Sequence, residues 1–214
     1  MKIELYYAPI TCAMAPYITL TEVGADFEVT PLNFRTQQHM SSDYIKLNPK
    51  HKVPMLVVDG KKITENVAIQ LWISRTFPSG KILPTTPLEE AQAISLLSWF
   101  SGGIHPYLSR INAPPKVCSI AETEENVRNN AIDSLQELYG IAEQFLMDKD
   151  YFLEDFSAPD AHFFWCTRRA LQFNIDLDAH VNVIGHYERM QKRESVKKLL
   201  AFEKETIEIF KRST

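Results

Sequence analysis

Short apolar runs broken by turn residues occupy the first third of the chain, and apolar positions at helical spacing occupy the rest, with the change near residue 88. Residues 2–7 hold Tyr6 and Tyr7 in an apolar run that predicts a buried strand. Ala8-Pro9-Ile10-Thr11 breaks it, and a helix is predicted over 12–23, stopped at Gly24. Pro16 falls in its first turn, where a missing amide is tolerated. Residues 27–32 read as a second strand. A polar loop over 35–42 leads into a short helix ending at Leu47. Residues 55–59 and 61–64 form a hairpin around Gly60, and a helix over 65–76 ends before Pro78. The order is βαβαββα, an α/β module with a mixed sheet.

Residues 79–87, from Ser79-Gly80 to Pro84-Thr85-Thr86-Pro87, are rich in Pro and Gly and read as a linker between a domain at 1–78 and one at 88–214. The second domain is predicted all-helical, with helices over 88–112, 121–147, 158–173, 179–191 and 195–200, the last continuing into a tail over 202–210. Within it, Ser157 is a natural N-cap. Asp160, three residues on, can return a bond to its amide, so the pair is assigned to stability.

Composition narrows the function classes. A net charge of −4 supplies no basic field for nucleic acid. No apolar run reaches membrane-spanning length, and the start, Met-Lys-Ile-Glu, lacks the apolar core of a signal peptide. Cys12, Cys118 and Cys166 are too few and scattered for a disulfide framework, and no metal-ligand spacing is present. A cytoplasmic location is expected.

The richest chemistry lies in Asn48-Pro49-Lys50-His51-Lys52-Val53-Pro54 and in Thr64-Glu65-Asn66-Val67-Ala68-Ile69. A proline ahead of a strand sits at an edge or entry point, and an X-Pro bond admits a cis turn. A cis Val53-Pro54 bond would turn the Val53 amide and carbonyl outward, toward the backbone of an extended peptide. Glu65 and Asn66 would stand at a helix N-terminus, whose free amides favour an anionic group. The ligand expected from this pairing is a small peptide carrying negative charge.

These two segments, N-P-K-x-x-V-P and T-E-N-x-A-I, resemble the glutathione site of the cytosolic glutathione S-transferase family. The likeness is strong over the first 78 residues and weaker beyond. It implies a thioredoxin-like N-terminal domain followed by an all-helical bundle, with glutathione as co-substrate. Val53, beside Pro54, would pair with the cysteinyl backbone of glutathione, and Glu65 and Asn66 would grip its γ-glutamyl end. Lys52 is the candidate for the glycine carboxylate, ahead of Arg35, His39 and His51. A generic thioredoxin-like module with a Pro-led hairpin would explain Pro54 but not Glu65-Asn66.

Three residues compete to activate the bound thiol. Tyr7 aligns with the tyrosine-type classes, Thr11 with the serine-type classes, and Cys12 resembles the bacterial beta class most closely. Cys12 is also expected at a helix start, where a thiolate is favoured. Its alternative is a small buried apolar cysteine. With no second cysteine three residues on, any redox role would be monothiol. His105 resembles a beta-class histidine that donates to the sulfur or electrophile; its alternative is a half-buried histidine at a kink before Pro106, where the beta class carries a lysine. An electrophile pocket is expected near Ile10, His105, Leu108 and the helix through Phe163, Phe164 and Trp165, aromatics that also suit a core.

The resemblance implies a homodimeric, cytoplasmic detoxifying enzyme that conjugates or thiol-reduces small hydrophobic electrophiles. Two alternatives stand beside it: a glutathione-dependent isomerase or dehalogenase on the same scaffold, and a non-catalytic interaction protein.

Overall fold

The structure, a computed structural model, describes residues 1–212. It divides into two compact units: Met1–Leu83 joined by the segment from Lys192 onward, and Pro84–Gln191. The boundary at Leu83–Pro84 lies inside the Pro-rich 79–87 segment. The C-terminal helix groups with the α/β unit, whereas the hydrophobic pattern alone places it with the other helices.

In the α/β unit the elements are β1 (Ile3–Tyr7), α1 (Met14–Glu22), β2 (Glu28–Pro31), α2 (Ser42–Leu47), β3 (Met55–Val58), β4 (Lys61–Thr64) and α3 (Asn66–Thr76). The sheet order is β2-β1-β3-β4. β2 runs parallel to β1, while β1–β3 and β3–β4 are antiparallel, which makes the mixed sheet of a thioredoxin-like domain. β1 is central because Ile3, Leu5 and Tyr7 are all buried. Burying one such aliphatic side chain stabilises by about 1.5–3 kcal/mol. The β3–β4 turn uses Asp59 and Gly60, both at positive φ (47° and 81°), the backbone that a two-residue hairpin requires.

The rest of this unit is the last helix, Glu194–Arg212, a single element where the sequence suggests a short helix and a tail. It is numbered α9 below, after the helices of the second unit. Its start is clamped to α1: Arg193 donates two hydrogen bonds to Glu22, each of 2.8 Å, and the Ser195 hydroxyl donates a third. Burial raises the Glu22 pKa, but the bonds from Arg193 and Ser195 outweigh it and hold the carboxyl below its ordinary range. Farther along, Phe202 stacks on Tyr17 with ring centroids 5.5 Å apart.

The second unit contains α4 (Pro87–Trp99), α5 (His105–Asn112), α6 (Glu124–Phe145), α7 (Ala158–Gln172) and α8 (Val181–Gln191). The single helix expected over 88–112 is interrupted by a π-helical segment at Phe100–Ile104. Pro106 cannot donate to the carbonyl four residues back and its ring would clash there, so the register widens. Gly103 is required within it: a Cβ there would lie 2.7 Å from Trp99 Cδ1. The core of this unit is aromatic, with Phe152 and Phe163 at 4.8 Å and Phe100 and Phe152 at 5.0 Å between centroids. Among the described residues no helix is long and apolar enough to cross a membrane, and no acid, histidine or cysteine cluster could hold a metal ion.

Candidate functional site

Three segments of the α/β unit converge on Cys12. The first is the turn from Ala8 to Ala13 that links β1 to α1. It is tightened by the Thr11 amide and hydroxyl, which donate to the Ala8 carbonyl at 3.3 and 2.7 Å. The second is the loop before β3, where the Val53–Pro54 peptide bond is cis. The third is the start of α3. The Cys12 thiol points at the Val53 carbonyl, 3.6 Å away, and the Asn66 amide group donates to the Cys12 carbonyl at 3.2 Å. Cys12, Val53 and Asn66, far apart in sequence, are therefore one cluster.

The cis-proline loop is held from behind. The Lys52 carbonyl accepts from the Tyr44 hydroxyl at 2.6 Å and from the Asn48 side chain at 2.8 Å, and both donors are buried. These bonds position Val53, and sequence reasoning missed both residues; the only signal was an asparagine opening the N-P-K segment. The Lys52 side chain is exposed. Of the other basic candidates, Arg35 is exposed and the His39 ring stacks on Phe34 at 4.0 Å.

At the start of α3, Glu65 has φ 72° and ψ 128°, a backbone that costs a non-glycine residue about 1–3 kcal/mol. Its carboxylate lies on the surface, where Lys50 Nζ approaches to 2.5 Å. Lys50 also donates to the Thr64 hydroxyl at 2.9 Å. Asn66 is buried, and its Oδ1 has no hydrogen-bond partner among the described residues. No side chain caps this helix among those residues, so its first amides and the Asn66 oxygen remain available to a ligand.

The thiol is not the ready thiolate that a helix start would favour. α1 begins at Met14, two residues beyond Cys12. The Cys12 side chain is only 7% exposed, and burial pushes its pKa up to about 12 despite the opposing hydrogen bond from Asn66. Relative to an ordinary thiol this sets roughly 4 kcal/mol against ionisation. Burial thus favours the protonated S–H form of Cys12, which points at the Val53 carbonyl.

The other activation candidates are engaged differently. The Tyr7 hydroxyl is buried and donates to Glu203 Oε2 at 2.8 Å; the Ile10 amide donates to the same oxygen at 2.7 Å. Sequence reasoning missed Glu203, because a glutamate in an amphipathic helix reads as solvent-facing. The Thr11 hydroxyl gives its proton to the Ala8 carbonyl. His105 belongs to the second unit, as the first residue of α5, with its ring edge-on to Trp165 at 4.4 Å. Phe163 and Phe164 are fully buried, the latter stacked on Tyr187 at 5.2 Å, and Leu108 is 2% exposed, so these pocket candidates are core. Cys12, Cys118 and Cys166 form no disulfide with one another.

A thioredoxin-like unit carrying a cysteine, a cis-proline loop and an uncapped helix start, followed by a run of helices, is the architecture of glutathione transferases. Residues 1–75 match the family model for the glutathione S-transferase N-terminal domain. Over 94% of this chain and 98% of its own length, glutathione S-transferase GstA of Escherichia coli O157:H7 is 26% identical. Among solved structures, a beta-class glutathione S-transferase of Sphingomonas chungbukensis superposes with a TM-score of 0.83 at 28% identity, covering 94% of this chain and 98% of that one. A sphingomonad glutathione S-transferase complexed with glutathione has the same TM-score and coverage at 25% identity. Residues 1–75 thus form a glutathione S-transferase N-terminal domain, and the whole chain is similar in sequence and fold to bacterial glutathione S-transferases.

Proposed function

We propose that this protein is a glutathione transferase that joins the glutathione sulfur to small hydrophobic electrophiles. The observation that carries the reading is the convergence of Cys12, Val53 and the strained, uncapped start of α3. In this reading the Val53 amide and carbonyl pair with the cysteinyl backbone of glutathione beside Pro54. The γ-glutamyl carboxylate lies at the first amides of α3, which favour an anion. Its ammonium group replaces Lys50 on Glu65, and the Asn66 Oδ1 accepts a further N–H. Lys52 supplies the charge for the glycine carboxylate.

The bound sulfur then comes beside Cys12. Burial that keeps the proton on the Cys12 sulfur leaves it an S–H donor in place of a nucleophile. Cys12 therefore serves by donating its S–H to the glutathione thiolate, lowering the pKa of the co-substrate. The Tyr7 and Thr11 hydroxyls donate at 2.8 and 2.7 Å to Glu203 and Ala8, whereas the Cys12 thiol meets the Val53 carbonyl only at 3.6 Å, which supports Cys12 over both. In the transfer, the glutathione sulfur forms a bond to the electrophilic carbon, the leaving group departs with its electron pair, and the glutathione proton passes to solvent. His105 is assigned to orienting the electrophile, and the working form to a cytoplasmic homodimer acting in detoxification.

The test is calorimetric titration with glutathione in reducing buffer, followed by turnover of an activated aryl chloride. Binding in the micromolar to low-millimolar range with conjugate formation is the expected result. Absence of binding would overturn the reading in favour of an interaction protein on a transferase scaffold.

A further inference from the structure

Glu203 is 2% exposed on the inner face of α9, and one of its oxygens accepts from both Tyr7 and Ile10. A carboxylate is retained in a buried place only where strong hydrogen bonds compensate its lost hydration. Docking α9 does not require it: the Glu22 clamp with Arg193 and Ser195 and the Phe202 stack on Tyr17 already hold that helix. What Glu203 adds is a grip on the turn that ends at Cys12. Within that turn Ile10 has φ 67°, a left-handed backbone that is an outlier for a β-branched residue and persists only when its surroundings enforce it. The Ile10 amide that Glu203 holds belongs to that same residue.

We infer that Glu203 is a positioning residue for Cys12: from the last helix it fixes Tyr7 and Ile10, and so holds the Ala8–Cys12 turn with the thiol facing the Val53 carbonyl. The inference rests on the proposed role of Cys12 at the glutathione sulfur. It makes α9 a working part of the site. It also gives Tyr7 a scaffolding role in place of thiol activation.

The experiment is the alkylation rate of Cys12 by N-ethylmaleimide in the full chain, read on the Cys12 peptide by mass spectrometry. Wild type is compared with Glu203→Gln and with Arg193→Gln, which removes the two Arg193 bonds to Glu22 at the start of α9. Glu203→Gln is expected to speed Cys12 labelling by about tenfold through local opening of the turn, while Arg193→Gln stays within about twofold of wild type. Equal acceleration in both variants, or none in Glu203→Gln, would overturn the inference. Should Glu203→Gln not fold, Tyr7→Phe removes one donor and is expected to speed labelling by about threefold; an unchanged rate there overturns it equally. Labelling needs no glutathione. Failure of glutathione to protect Cys12 in wild type would count against the proposed co-substrate and leave the contrast between variants standing.

Discussion

Two helix starts in this molecule are built in opposite ways. At α7 the Asp160 carboxylate, fully buried, accepts from the Ser157 amide and hydroxyl at 2.8 and 2.6 Å, from the Phe152 amide at 3.0 Å, and faces His186 Nε2 at 3.0 Å. The capping box is complete. At α3 no side chain caps the helix among the described residues, Glu65 is strained, and the Asn66 oxygen lacks a partner. A helix start whose polar groups are all satisfied serves the fold. One left strained and open, with a buried oxygen unpartnered, is an arrangement that the proposed ligand would complete. The same local chemistry, an acid or amide at a helix N-terminus, thus serves as a stability element at α7 and, in the proposed reading, as a recognition element at α3.

The sharpest way to break that contrast is Asp160→Ala. It strands several buried donors at once and is expected to lower stability by about 3–5 kcal/mol in urea titration, with glutathione affinity unchanged in the folded fraction. A loss of affinity at full stability would reverse the assignment. Also on α7, His162 is buried with neither ring nitrogen partnered among the described residues. Burial, and secondarily His105, depresses its pKa from 6.5 to about 3. The unfolded chain therefore binds the proton first on acidification. Stability from this neutral histidine is present above pH 6.5 and lost as pH falls toward 3, by up to about 5 kcal/mol. His162→Leu should flatten that acid limb; an unaltered limb would show that the ring ionises without penalty.

On the recognition side, Cys12→Ala is expected to reduce turnover about tenfold while changing glutathione affinity less than about threefold, since the lost interaction is one hydrogen bond to a charged sulfur. Cys12→Ser keeps an O–H donor and should restore most of the rate. Equal loss in both variants would assign Cys12 to mixed-disulfide chemistry instead. The smallest effect is expected at Glu65. Glu65→Gly relieves the positive φ and should stabilise the protein by about 0.5–1 kcal/mol, yet weaken glutathione binding about fivefold by removing the carboxylate. A variant less stable and equally tight would return Glu65 to a purely structural role.

Much of this was legible in the residues. The βαβαββα order, the hairpin at Asp59-Gly60 and the Ser157–Asp160 box each depend on neighbours a few positions apart, and local physics decides them. Val53-Pro54 and Glu65-Asn66 stood out as candidates because proline and a helix-start acid carry their chemistry in short motifs. The break at Phe100–Ile104 was half visible: Gly102, Gly103 and Pro106 signal a disturbance, but not that the helix continues through it in a wider register.

What the sequence determined by itself is therefore the set of α/β elements and their order. Tertiary structure alone decided how those groups are used. Tyr7 is bound to Glu203 across 196 residues, the Lys52 carbonyl is held by Tyr44 and Asn48, and burial pushes the Cys12 pKa up where a helix start alone would lower it. The reason is that hydrogen-bond partners and desolvation are set by what packs around a group in space, and chain-local patterns hold no record of it.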